Sequence, residues 1–255
     1  MTEKAPLQIL VSNDDGVAAL GIDVLETACK GVGEVTVVAP DREQSAASHS
    51  LTMFRPLRPI KRNDGRWQVD GTPTDCVVLA LETILETRPS FVFAGINHGT
   101  NMGEDVLYSG TVAVAMEAIS AGIPGVAISF AGRRIELIET QLDWIRGLVA
   151  SIVQVDNFPP ETLLNVNFPP VPGNEIRGIR VTKLGRRVYS DSITRMKDPW
   201  GRDIYWIGGG KSSWSGDEDS DFRAVANGFV SITPLHVDLT QYDHLELVRS
   251  WNLCG

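Results

Sequence analysis

The first 130 residues alternate short β-branched runs with helix-forming segments, and this alternation restricts the fold more than any other feature of the chain. "LQILV" (7–11), "EVTVVAP" (34–40), "FVFAGI" (91–96) and "GVAIS" (125–129) are mostly apolar and read as strands buried on both faces. Helix-forming segments separate them at 21–29, 73–86 and 110–121. Thr72 as N-cap and Pro73 in the first helical position start the second helix. Gly122 and then Pro124 close the third. Such strand–helix–strand repetition predicts an α/β fold with a mostly parallel sheet and helices on both faces. A longer helix is expected over about 136–155.

The character changes after "DNFPPETLLNVNFPPVPG" (156–173), which divides the chain into a core, 1–157, and a C-terminal extension, 158–255. The extension predicts strands at 163–168, 176–184 and 228–235, and a helix start at "DEDSD" (217–221). "MKDPWGRDIYWIGGG" (196–210) reads as a hairpin arm with Pro199, Trp200 and Gly201 at its turn and Tyr205 and Trp206 on the returning strand. A lone hairpin is marginal in water, so these rings are expected to pack on a partner.

Composition narrows the partners. A net charge of -9 and a pI near 5.0 leave no basic face for a nucleic-acid polymer. No apolar stretch approaches the roughly 18 residues needed to span a bilayer. The N-terminal "MTEKAPLQ" lacks an apolar signal region, and Cys29, Cys76 and Cys254 form no CxxC pair. A cytoplasmic, reduced protein without a disulfide framework or zinc site is expected.

Ligands of open parallel sheets bind beyond the carboxyl ends of the strands. Here those ends carry Asn13, Asp14, Asp15 and Gly16, then "PDREQSAASHS" (40–50), then "NHGTNMGED" (97–105) followed by "YSGT" (108–111). Adjacent carboxylates repel unless a cation lies between them. With the Ser45 hydroxyl and the Asn97 amide nearby, the oxygen set suits Mg²⁺, Mn²⁺ or Ca²⁺; a turn with a helix cap is the plainer reading of Asp14–Asp15. Ser109, Gly110 and Thr111 open a helix whose amides and dipole suit a phosphate. Gly99 and Asn101 offer further accessible backbone, and His49 is a substrate contact, a proton donor or a plain loop histidine. "GGGKSS" (208–213) has the wrong spacing for a P-loop, and His236 and His244 have no second metal ligand at suitable spacing.

Together "ILVSNDDG" (9–16), "VVAPDREQSAASHSLT" (37–52), "GTPTDCVVLAL" (71–81) and "AGINHGTNMGEDVLYSGTVAVAMEA" (94–118) resemble the SurE (survival protein E) family of metal-dependent nucleotidases. The resemblance implies a Rossmann-like core and one divalent cation per subunit, Mg²⁺ or Mn²⁺, held by Asp14, Asp15, Ser45 and Asn97. It implies hydrolysis of nucleoside 5′- and 3′-monophosphates by direct attack of a metal-activated water, with Asp14 and Asp15 as catalytic residues. Asn13, His49, Gly99, Asn101, Ser109, Gly110 and Thr111 are then the phosphate and substrate contacts. It also implies a homodimer or homotetramer built through the hairpin arm. Two rivals are weaker. A dehalogenase-type phosphatase uses D-x-D, and a nucleotide-sensing module would bind without turnover.

Overall fold

The computed structural model describes residues 6–190, 193–207 and 211–253. The first five residues, Gly208–Gly210 of the P-loop-like run and Cys254 lie outside the described residues.

Five core strands form as the β-branched runs require: β1 (Gln8–Ser12), β2 (Glu34–Pro40), β5 (Phe91–His98), β6 (Gly125–Phe130) and β7 (Thr162–Phe168). Two short strands, β3 (Pro59–Lys61) and β4 (Trp67–Val69), and two late ones, β8 (Ile179–Val181) and β13 (Val230–His236), complete a nine-stranded sheet. Its order is β3-β4-β2-β1-β5-β6-β7-β13-β8. The ladders are parallel from β4 through β2, β1, β5 and β6 to β7, and antiparallel at β3–β4 and β7–β13. β7, β13 and β8, all beyond residue 158, thus continue the sheet that the core begins.

The two-residue period of a strand divides the core in two. Ile9 and Val11 of β1 and Val126 and Ile128 of β6 pack on one side, against α1 (Leu20–Cys29) and α4 (Leu142–Ile152). Leu10 and Ala127 face the other side with α2 (Pro73–Leu79) and α3 (Gly110–Ser120). In α4 the buried residues Ile145, Leu148, Val149 and Ile152 recur at helical spacing, so one stripe meets the sheet.

Two helices differ from their predicted limits. α2 ends at Leu79 and passes into a π-helical turn, Ala80–Ile84, where the Leu85 amide reaches the Ala80 carbonyl. The Thr83 hydroxyl also donates to the Leu79 carbonyl at 2.7 Å, a side-chain bond of the kind that bends helices. The segment 136–155 begins with a 3-10 stretch, Ile135–Gln141. There buried Gln141 turns its amide into the core and donates to the Pro169 carbonyl at 2.9 Å.

Strand order places the future site. β1 sends the chain to β2 on one side, whereas β5 lies on β1's other side, so the order reverses between β1 and β5. Ser12 is level with Ala94, which sets the residues after β1 beside the end of β5. Beyond the sheet, β9 (Arg186–Ser190) pairs with β12 (Lys211–Ser215), and β10 (Ile193–Lys197) pairs with β11 (Asp203–Ile207). The hairpin arm is therefore longer than the sequence suggests. The chain ends in α5 (Asp221–Ala226), β13 and α6 (Leu245–Ser250).

α1 sits so close to the end of β5 that a Cβ on Gly21 would lie 1.9 Å from the Ile96 carbonyl oxygen. Gly21→Ala should cost about 1–3 kcal/mol through overpacking, although alanine is the better helix former. Urea unfolding checks this, and an unchanged midpoint would show that α1 moves aside freely.

Candidate active site

Beyond β1 the chain turns at once, and Asn13 makes the turn. Its Nδ2 donates to the Gly16 carbonyl at 2.9 Å and its Oδ1 accepts from the Gly16 amide at 3.2 Å. Gly16 has φ +99°, and a Cβ there would meet the Arg42 backbone at 3.1 Å, so glycine is required. The Asn13 amide is spent on this turn. The Asp14 carbonyl accepts from the Gln44 amide at 2.7 Å and ties the loop after β2 to the same place.

The two aspartates meet different neighbours. Asp14 is buried against the first turn of α3, where its carboxylate accepts from both the hydroxyl and the amide of Thr111. Gly110 makes the approach possible: a Cβ there would stand 2.7 Å from Asp14 Cβ and 2.9 Å from Pro73 Cγ. Ser109 caps α3 by accepting from the Val112 amide at 3.0 Å. Asp15 is half-buried and accepts from the His98 amide at 2.9 Å, at the end of β5.

Burial pushes the Asp14 carboxyl up to about 6; the Asp15 charge adds to this and the Thr111 bonds oppose it. Burial also raises Asp15, with the Glu43 carboxylate adding and the His98 amide opposing. Among the described residues neither aspartate is in an ion pair, and no lysine or arginine offsets their charge. This is the arrangement that a bound cation relieves.

The expected donors fit a hard ion in kind. Asn97 donates through Nδ2 to the Gly99 carbonyl at 3.0 Å, which leaves Oδ1 out of that bond. The exposed Ser45 hydroxyl donates to Glu43 at 2.5 Å. No cluster of three His, Cys, Asp or Glu side chains with metal-holding geometry occurs among the described residues.

Other candidates are occupied elsewhere. Asn101 is buried; its Nδ2 donates to Ser129 at 2.8 Å and its amide to Asn167 Oδ1 at 3.0 Å. The Gly99 amide donates to the Phe130 carbonyl, so two of the three amides over 99–101 are already used. His49 Nε2 lies 2.7 Å from Glu117 on α3. His236 pairs with Thr162 at the start of β7, at the opposite end of the strands from the site. Sequence reasoning missed Glu43, which accepts from Ser45 within one loop, and Glu117 of α3, whose partner His49 is 68 residues away, and it missed the backbone role of His98.

Comparison with known proteins identifies the family. The family model described as "Survival protein SurE" matches residues 9–191. The chain belongs to the SurE family. A protein from Gemmatimonas aurantiaca, named 5'-nucleotidase SurE, is 63% identical over 96% of this chain and 98% of its own length. Its namesake from Legionella pneumophila strain Lens is 49% identical over 94% of this chain and 96% of its own. The crystal structure of SurE from Aquifex aeolicus superposes with a TM-score of 0.84 at 40% identity, covering 96% of this chain and 99% of that one.

The raised Asp14 pKa has a testable sign. Its penalty is absent below about pH 4, grows as only the unfolded chain ionises, and is complete above about pH 7, reaching about 2–3 kcal/mol. In chelator-treated protein Asp14→Asn should therefore raise the melting temperature at about pH 8 and leave it nearly unchanged at about pH 4. Calorimetry at the two pH values checks this; a variant destabilised at the higher pH would mean that Asp14 carries no desolvation penalty.

Proposed function

We propose that this chain is a divalent-metal-dependent phosphomonoesterase that hydrolyses nucleoside 5′-monophosphates, and 3′-monophosphates as well, to nucleoside and phosphate. The observation that carries this reading is the desolvated, unpaired Asp14–Asp15 couple in the crevice where strand order reverses. Relatives named 5'-nucleotidase SurE, similar over nearly their whole length, support the substrate class.

In this reading Asp14, Asp15, Ser45 and Asn97 hold one Mg²⁺ or Mn²⁺ ion, which supplies positive charge to phosphate oxygens and lowers the pKa of a water. The protein's part is positioning. Thr111 fixes Asp14 with two bonds and the His98 amide fixes Asp15, so neither carboxylate rotates during the reaction. The Gly110 amide at the positive end of α3 faces the phosphate. Water attacks phosphorus, the bond to the leaving oxygen breaks, and one of the two aspartates orients or accepts the proton of that water. Both carboxylates are committed to charge and hydrogen bonds, which makes either a poor nucleophile and favours a single displacement with inversion.

Residues 1–157 carry this chemistry, and the extension supplies an assembly surface. The arm exposes Trp200 (78%), Trp206 (63%) and Ile207 (91%), too much apolar surface for an isolated hairpin. A second copy covering it gives a homodimer or homotetramer. The activity is assigned to the cytoplasm, where the buried free thiols Cys29 and Cys76 stay reduced. No helix among the described residues is long and apolar enough to cross a membrane.

A panel of nucleoside 5′- and 3′-monophosphates, assayed for phosphate release with Mg²⁺ and with Mn²⁺, tests the reading. Wild-type protein should turn over, while Asp14→Asn and Asp15→Asn should lose about a hundredfold or more, since a neutral amide binds a hard dication weakly. Acid quenching should trap no phosphoaspartate. Full activity in both variants, or after exhaustive chelation, would end the proposal.

Assembly has its own test. Trp206→Ser combined with Ile207→Ser should shift the mass from light scattering toward monomer at fixed concentration, whereas an unchanged mass would place the oligomer contact elsewhere.

A further inference from the structure

The turn that leads into α3 is tied to the base of the arm by a carboxylate that the site above does not use. Asp221 is fully buried and accepts from three backbone amides. Its Oδ2 accepts from Gly103 at 2.8 Å, and its Oδ1 from Gly185 at 2.9 Å and Phe222 at 2.7 Å. Gly103 opens a 3-10 turn, Gly103–Leu107, which runs through Tyr108 to the Ser109 cap of α3. Gly185 stands immediately before β9, the first strand of the arm.

Packing reinforces the tie. Gly103 has φ +54°, and a Cβ there would lie 2.8 Å from the Gly185 carbonyl oxygen and 3.3 Å from the Trp214 ring. Trp214 in turn stacks on Phe222 at 5.5 Å between centroids. A second link lies nearer the surface, where Glu104 accepts from the Arg187 amide at 2.8 Å and Asp105 pairs with the Arg187 guanidinium.

We infer that Asp221 is a positioning residue: it locks the Gly103–Tyr108 turn to the base of the arm and so sets the α3 N-terminus against Asp14. The shape of the phosphate cradle then depends on how the arm is seated. This rests on the crevice at Asp14 and Thr111 being the phosphomonoester site. The chemistry of the tie is specific to a carboxylate, because both oxygens accept. An asparagine keeps its single oxygen on Gly185 and Phe222, where two bonds are saved, and turns its NH₂ toward the Gly103 amide. Asp221→Asn therefore releases the site and spares the arm.

The test measures inorganic phosphate binding by calorimetry with Mg²⁺ present, alongside KM and kcat for adenosine 5′-monophosphate. Wild type is compared with Asp221→Asn and with Asp105→Asn, which removes the ion pair of the outer link and leaves its Glu104 bond. Phosphate Kd and KM should rise together about tenfold in Asp221→Asn, the loss expected for a buried hydrogen bond to a charged group, and severalfold in Asp105→Asn. A merely structural role would lower the melting temperature and leave Kd and KM of the folded protein unchanged, and this result overturns the inference. If Asp221→Asn does not fold, Asp105→Asn decides, and wild-type Kd and KM there overturn it equally. Wild-type protein that neither binds phosphate nor hydrolyses the nucleotide would refute the proposed function, and this inference with it.

Discussion

The site depends on bringing a desolvated carboxylate to the positive end of a helix. Asp14 leaves water at the end of β1 and is compensated by Thr111 at the start of α3, not by a basic side chain. A hydroxyl and one amide offset only part of a full charge, and a pKa of about 6 reflects the remainder. The surrounding sequence follows from that contact. Position 110 can carry no side chain because Asp14 and Pro73 fill the space, and Pro73 begins α2, so both helices and β1 meet at one point. A cation bound as proposed would meet two carboxylates whose bonds already hold them in place, so little ordering would remain to be done on binding.

Much of this arrangement is legible in the sequence, for identifiable reasons. Strands such as 125–129 show themselves because burial on both faces favours apolar runs, and 34–40 does so through its buried second half, 37–40. Asp14 and Asp15 are visible as charges without nearby bases. The short strands β3 and β4 are not legible: each has three residues, β3 is wholly exposed and begins with Pro59, and no periodicity fits in so short a span. Helix limits fail where long-range bonds decide them, as at Gln141, whose partners lie near residues 169–171.

Within the site the failures share a cause. Asn101 looks like an accessible loop amide, yet it is buried among Ser129, Asn165 and Asn167, residues of β6 and β7 that local sequence does not bring near it. Asp221 ends "DEDSD", which reads as an acidic loop and a helix start; α5 does begin there, but the partners of its carboxylate, Gly103 and Gly185, are 118 and 36 residues away. A side chain that serves the immediate turn, such as the cap Thr72, is predictable from spacing; side chains that join distant segments are not.

That contrast bears on why polar groups, not apolar ones, underlie the turn into α3. Apolar packing is non-directional and tolerates sliding. Asn165 and Asn167 alternate along β7, so both amides emerge on one face of the sheet, and both donate to the Asn101 carbonyl, at 2.8 Å and 3.0 Å. Asp221 holds the other side of the same turn two residues later, at Gly103. Directional bonds from the sheet and from Asp221 at the start of α5 thus fix one short segment on two sides at once. Buried polar groups are costly unless satisfied, so a displaced turn would leave several of them unpaired together. The resulting stiffness keeps Ser109, Gly110 and Thr111 at a constant distance from Asp14, the geometry on which the site's electrostatics depend.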